Sequence, residues 1–356
     1  MHRFLFLTSL TVPLLLGVTA VIAAEPLVKP DGARLYAQRC SACHGADGRG
    51  GVGVPLALPA FLSSVDDTYL RMTVRLGRPG RVMPAFTQLT DAEVGAIVAH
   101  IRSWPGQKPP KTHTRDRLAG NAARGKTLYE RHCATCHGAH GEGGHGTGVT
   151  LSRPRSAPIL APALNNPGFL AAASDTQIKT TLVRGREGTP MRSFLKQGLK
   201  ERDIDDIVAY VRAFGQLPPP PGARVLESES PVLVRASPYS VEETVEKVKT
   251  AVGAANMRLI RVQTLDQDFV AEGKENHDQT IVYSCDFGFL NEALKVDPRV
   301  GLFLPCRVTV IRHAGKVQVM TINPKRLSRI FNNAELNDLC EQMYKVYVEI
   351  LEESIL

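Results

Sequence analysis

The sequence predicts a multidomain chain, two all-α modules followed by an α+β domain. Three observations carry this. The stretch CSACHGADGRGG from Cys40 returns as CATCHGAHGEGG from Cys133. Each copy lies between a short and a longer amphipathic helical pattern, with Gly- and Pro-rich loops between and few strand signals. After a proline-rich break the pattern changes to alternating apolar runs and helices. At 356 residues the chain is also too long for one ordinary domain.

The repeat aligns closely. Tyr36, Cys40, Cys43, His44 and Gly45 match Tyr129, Cys133, Cys136, His137 and Gly138, 93 positions on. Further along, Phe61, Asp67, Gly77-Arg78, Met83 and Phe86 match Phe169, Asp175, Gly185-Arg186, Met191 and Phe194 at an offset of 108. The second copy therefore holds about fifteen extra residues between Gly144 and Phe169. GARLYAQRC and GKTLYERHC open the copies as short helices. TDAEVGAIVAHIRSW closes the first, with Thr90 as N-cap and Val94, Ile97, Val98 and Ile101 on one face. KERDIDDIVAYVRAF repeats that face with Ile204, Ile207, Val208 and Val211. Each copy is roughly 80 to 100 residues, loop-rich and poor in large apolar side chains. A module of that size cannot offset its conformational entropy by burial alone, so something else must fill its core.

The N-terminal run MHRFLFLTSLTVPLLLGVTAVIAA reads as a secretory signal over residues 1–24, cleaved after Ala24 or retained as an anchor. Either way the remainder is exported, and a periplasmic location is expected. Residues 25–217 hold 26 Lys/Arg against 16 Asp/Glu, a net of +10, whereas 218–356 are net −3. A basic surface on an exported protein points to acidic redox-protein partners or an anionic membrane-complex face, and no nucleic acid is expected.

Four of the seven cysteines lie in the repeated stretches. C-x-x-C-H is the attachment signature of c-type haem: the thiols add across two vinyl groups and the adjacent imidazole sits under the iron. A redox dithiol would need a strand–helix alternation that is missing, and a shared zinc would leave the paired histidines unexplained. Two covalently bound haems are therefore expected, on Cys40, Cys43 and His44 and on Cys133, Cys136 and His137. The apolar macrocycle supplies the missing core.

With CSACHGADGRGG and RVMPAFTQLTDAEVGAIVAHIRSW, and again with CATCHGAHGEGG and TPMRSFLKQGLKERDIDDIVAYVRAF, the chain resembles the class I cytochrome c family twice over. The resemblance implies two all-α cytochrome c-like haem domains, at 30–106 and 119–217, with Met83 and Met191 as sixth iron ligands. It also implies a proline carbonyl against each proximal histidine, from Pro55 in the first domain and from Pro162 or Pro158 in the second. Competitors for the sixth position read differently: Met72 as core, His100 as a helix-surface residue, His140 and His145 as loop residues.

Residues 218–236, with GQLPPPPGARV, read as a stiff proline-rich linker, and 237–356 as the α+β domain. There Ser240 caps a helix. MRLIRVQTL, TIVYSCDF, RVTVIRHA and KVQVMTIN read as strands, with a hairpin at Ala314-Gly315. A long final helix carries Leu336, Leu339, Cys340, Met343 and Ile350 on its apolar stripe. YSCDFGFLNEALKVDPRVGLFLPCRVTVIRHAGKVQVMTINP resembles the domain of unknown function 302 family, although the family's Asn-Pro after the first Phe-Gly is replaced by Phe289-Leu290. Cys285 and Cys306 form either a disulfide or two buried thiols, Cys340 is a core residue, and His277 and His313 lie on the surface.

The functional expectation is a dihaem electron carrier, or the electron-transfer subunit of a respiratory complex, with an accessory C-terminal domain. The alternatives are a haem enzyme acting on a reduced sulfur compound or peroxide, and a redox-sensing module. Filled axial positions favour electron passage over catalysis.

Overall fold

The computed structural model describes residues 29–50, 53–104, 113–144, 161–217, 224–226 and 230–356. The proposed signal, His145 and Pro158 lie outside them. No helix among the described residues is long and apolar enough to cross a membrane.

The first module comprises α1 (Gly32–Arg39), α2 (Ser41–His44), α3 (Pro59–Leu62), α4 (Asp67–Leu76) and α5 (Asp91–Ser103). The second repeats it as α6 (Ala122–His132), α7 (Ala134–His137), α8 (Pro167–Ala172), α9 (Asp175–Arg184) and α10 (Glu201–Ala213). The caps are those the side chains dictate. Asp31, Asp66, Asn121 and Ser174 each accept an N-terminal backbone N–H. Thr90 and Glu93 form a reciprocal capping box.

In each module the first helix packs on the last, α1 on α5 and α6 on α10. An aromatic triad sits at the crossing: Tyr36 with His100 and Trp104, and Tyr129 with Tyr210 and Phe214. Trp104 and Phe214 press against Gly48 and Gly141, both at positive φ, where a Cβ would come within 2.4 and 2.6 Å of the ring. His100 is thus half-buried against aromatic rings rather than a plain surface residue.

A clasp recurs with the same geometry. Arg102 donates to Asp67 and to the Leu62 and Val65 carbonyls, while Arg212 donates to Asp175 and to the Leu170 and Ala173 carbonyls. Asp175 is 4% exposed and also accepts the Leu118 N–H at 2.9 Å. Asp175→Ala would leave a largely buried guanidinium without its carboxylate, at a cost of about 3 kcal/mol. The urea midpoint of the second module should fall accordingly, and an unchanged midpoint would show that the clasp is energetically neutral.

The two modules share one continuous apolar core that runs from Leu35 to Phe214. Their contact is an exchange of repeat-equivalent residues. Arg78 of the first lies over Phe169 of the second, and Arg186 of the second over Phe61 of the first. Residues 113–118 tie the modules together: the buried His113 donates its N–H to Asp66, and Arg115 reaches the Ala171 and Ala172 carbonyls.

The C-terminal domain is a five-stranded antiparallel sheet in the order β1-β5-β4-β3-β2. Its strands are β1 (Val232–Ser237), β2 (Arg258–Thr264), β3 (Gln279–Cys285), β4 (Arg307–His313) and β5 (Lys316–Ile322). One face is covered by α11 (Val241–Ala254), capped by Ser240. After α12 (Phe287–Val296) and α13 (Lys325–Ile330), the final helix α14 (Asn337–Glu353) packs beside α11. The β4–β5 turn is the expected Ala314-Gly315 pair, both at positive φ.

Three expectations need correction. The domain begins with β1, inside the stretch read as linker, because a six-residue strand bounded by proline and serine carries little periodic signal. Within the same stretch, Arg224 and Leu226 are docked rather than free: Asn337 donates to the Arg224 carbonyl and Leu226 donates to the Ser328 hydroxyl. The run TIVYSCDF stops as a strand at Cys285, and Asp286 caps α12 instead.

Among the described residues no two cysteines are joined in a disulfide. Cys285 and Cys306 are neighbours sharing a thiol hydrogen bond, and Tyr347 also bonds Cys306. Cys340 is buried, and His277 and His313 are exposed.

Candidate functional site

The two C-x-x-C-H stretches fold identically. In each, the first cysteine ends the opening helix and a four-residue helix follows, α2 or α7. His44 N donates to Cys40 O at 2.9 Å, as His137 N does to Cys133 O at 2.9 Å. Gly45 and Gly138, at φ 80° and 81°, then end the turn. Each turn is pinned by a buried tyrosine: Tyr36 Oη donates to Gly45 O at 2.8 Å and Tyr129 Oη to Gly138 O at 2.9 Å. One helical turn thus carries two thiols and an imidazole in both modules. Burial pushes the Cys40 thiol up to about 11 and the Cys133 thiol up to about 12, so both are protonated at neutral pH.

The histidines are oriented by backbone. His44 Nδ1 lies 2.8 Å from Val54 O, and His137 Nδ1 lies 2.9 Å from Pro162 O. A carbonyl only accepts, so each Nδ1 carries the hydrogen and each Nε2 keeps its lone pair for a metal. Burial lowers both imidazole pKa values, and for His137 the nearby Arg186 charge lowers it further. The first carbonyl belongs to Val54, not to Pro55 as expected. The residue before the proline supplies the acceptor.

Met83 and Met191 occupy equivalent loops before the last helix of each module, both half-buried. Each loop closes the same way, Arg78 N donating to Met83 O and Arg186 N to Met191 O. Met72 sits on α4, half-buried against the edge of the core rather than in it, with its sulfur against Arg115. His140 is exposed.

Residues 122–214 match the family described as cytochrome c, and residues 29–101 match cytochrome C oxidase, cbb3-type, subunit III. Both helical modules are cytochrome c domains. Residues 233–354 match the domain of unknown function DUF302, so the C-terminal α+β unit is a DUF302 domain. A cbb3-type cytochrome c oxidase subunit CcoP of Azospirillum sp. is 28% identical over 198 residues, 52% of this chain and 61% of that protein. A cytochrome bc1 complex cytochrome c subunit of Mycobacterium bovis is 28% identical over 232 residues, 58% of this chain and 74% of that protein. A dihydro-heme d1 dehydrogenase of Pseudomonas aeruginosa is 39% identical over 104 residues, 29% of this chain and 20% of that protein. The matched stretch thus spans less than two thirds of the first of these relatives and a fifth of the last.

Cytochrome c domains imply covalently bound c-type haem, and the residues present fit it. The donor set is a pair of thiols and a neutral imidazole with Nε2 available, all on one turn. Gly53 leaves a cradle beside His44, where a Cβ would lie 2.6 Å from the imidazole Cε1 and Nδ1. At the second site the buried Arg186 Nε has no hydrogen-bond partner among the described residues, and burial lowers its pKa. A buried guanidinium nitrogen without a hydrogen-bond partner among the described residues, next to a thiol–imidazole turn, suits a group that is apolar with anionic substituents.

Sequence reading found the thiols, imidazoles and methionines but no role for Arg78 and Arg186, although both stood in the repeat alignment. The signal was their recurrence beside Gly77 and Gly185; what it lacked was the partner across the module boundary.

Proposed function

We propose that the protein is an exported electron-transfer protein carrying two c-type haems, passing electrons between redox proteins of a respiratory or inorganic-oxidation chain. The duplicated turn, with each Nδ1 committed to a carbonyl and each Nε2 left as donor, carries this reading. Cys40 and Cys43, and Cys133 and Cys136, are the attachment thiols; His44 and His137 the proximal ligands; Met83 and Met191 the sixth ligands.

A bound c-type haem supplies a one-electron iron couple. The chain's residues do the rest. The Val54 and Pro162 carbonyls hold the imidazole planes. Tyr36 and Tyr129 fix the turns, and the shared core excludes water between the modules. A thioether ligand favours the ferrous state and raises the potential, and a His/Met pair leaves no position for a substrate. The net charge of +10 over residues 25–217 favours partners with acidic docking faces. The relatives named as subunits of an oxidase and of a bc1 complex support association with a membrane complex, and the apolar N-terminal run supports a periplasmic location, cleaved or anchored.

Redox titration of the full-length protein with optical and magnetic spectra should resolve two one-electron, low-spin, six-coordinate centres. A high-spin centre, or rapid carbon monoxide binding by the unaltered protein, would replace this reading with that of a haem enzyme for small inorganic substrates or peroxide.

A further inference from the structure

The repeat makes the two methionine loops directly comparable, and they are held differently. The second loop, Arg186-Glu187-Gly188-Thr189-Pro190-Met191, is stitched from within. Thr189 Oγ1 donates to Arg186 O at 2.7 Å and accepts the Met191 N–H at 3.1 Å. The first loop reads Arg78-Pro79-Gly80-Arg81-Val82-Met83, with Arg81 in the place of Thr189. That hydroxyl is gone, and its work falls to a residue about 250 positions away.

Asn332, in the turn after α13 of the DUF302 domain, inserts its side-chain amide into the first loop. Nδ2 lies 3.0 Å from Arg78 O, 2.5 Å from Arg81 O and 2.9 Å from Met83 O. Oδ1 accepts the Gly80 N–H at 3.0 Å. Two N–H bonds serve three carbonyls, so one is shared, and the loop must curl around the amide to present them. The turn adds two contacts: Ala334 N donates to Gly80 O at 2.9 Å, and Glu335 pairs with Arg81 at 2.5 Å, both side chains largely buried. Asn332 adopts φ 48°, in the left-handed region that asparagine tolerates and most residues do not.

We infer that the DUF302 domain is a positioning element for the first haem centre: Asn332 holds the loop that presents Met83, as Thr189 holds the one that presents Met191. This rests on the reading of Met83 as sixth ligand. A thioether is a weak ligand whose occupancy depends on how rigidly the protein presents it. A backbone carbonyl of the ligand residue itself, tied to another domain, transmits docking of that domain to the sulfur. The consequence is an asymmetric pair, with one centre dependent on the C-terminal domain and one independent of it.

The test uses the full-length holoprotein with Asn332→Gly, which keeps the left-handed backbone and removes the amide, and separately Arg81→Ala, which breaks the ion pair and also removes the bond from Arg81 to the Gly144 carbonyl of the second module. Losing one to two hydrogen bonds biases an equilibrium on the order of tenfold. The expected results for Asn332→Gly are about tenfold more carbon monoxide or cyanide binding at the first haem. Its near-infrared sulfur-to-iron band should weaken and its potential fall, with the second haem unchanged as internal control. Arg81→Ala should shift the same quantities by less. Met83→Ala separates the two readings. If it opens the first haem while Asn332→Gly and Arg81→Ala both leave band, potential and ligand binding untouched, the positioning role is overturned. If Met83→Ala itself changes nothing, the ligand assignment fails and the inference with it.

Discussion

A chain in which Cys133 and Cys136 are both replaced by Ala is expected to hold one covalent haem instead of two and to lose the fold of its second module. The loss follows from size. That module, 119–217, has its most deeply buried large side chains in Tyr129, Ile204, Ile207, Val208 and Phe214, along the crossing of α6 and α10. The opposite wall, from α7 to the Met191 loop, is lined by half-buried residues such as Leu164, Leu195 and Met191. A bound macrocycle would complete that wall. Without it, apolar surface stays wet and the buried Arg186 Nε keeps no partner among the described residues, a cost of several kcal/mol against a total stability of roughly 5 to 15 kcal/mol. Intact mass should fall by one haem, and the second module's share of the near-ultraviolet dichroism should disappear. A doubly substituted chain that still carries two haems would refute the attachment assignment. Because the two modules share a core, the first should also be destabilised, and its urea midpoint reports by how much.

Met191→Ala is the second large effect. The variant should fold, because the loop's own bonds, Arg186 N to Met191 O and Thr189 Oγ1 to Met191 N, involve backbone that alanine retains. What disappears is the sulfur. The second haem should then bind carbon monoxide and cyanide while the first does not. Its potential should fall on the order of 100 mV, a fraction of the roughly 0.8 V over which axial ligands move haem potentials. If neither changes, Met191 is not the ligand, and another residue of the second module, His145 of the insertion among the candidates, takes its place.

Much of this was legible because it is local. C-x-x-C-H places two thiols and an imidazole on one turn whatever surrounds it. Thr90 with Glu93 announces a helix start, and Ala314-Gly315 between alternating runs announces a hairpin. The failures were also local in cause. Val232–Ser237 is too short and too close to prolines to read as a strand. Asp286-Phe287 reads as the end of a strand because its aromatic residue matches the run before it, while the aspartate already caps α12. The carbonyl that orients His44 comes from Val54, and a backbone acceptor leaves no mark on side-chain identity.

The residues proposed to bond haem, and their duplication, can be named from the sequence alone, since thiol, imidazole and thioether chemistry depends on which atoms are present and on spacings within a turn or a loop. Only the tertiary structure decided that Arg78 and Arg186 cross between modules, that Nε2 is the free nitrogen of each histidine, and that Asn332 closes the first methionine loop. Those contacts join positions tens to hundreds of residues apart. The apolar burial that brings them together is proportional to area and indifferent to direction, so composition alone cannot say which polar groups it will leave facing one another.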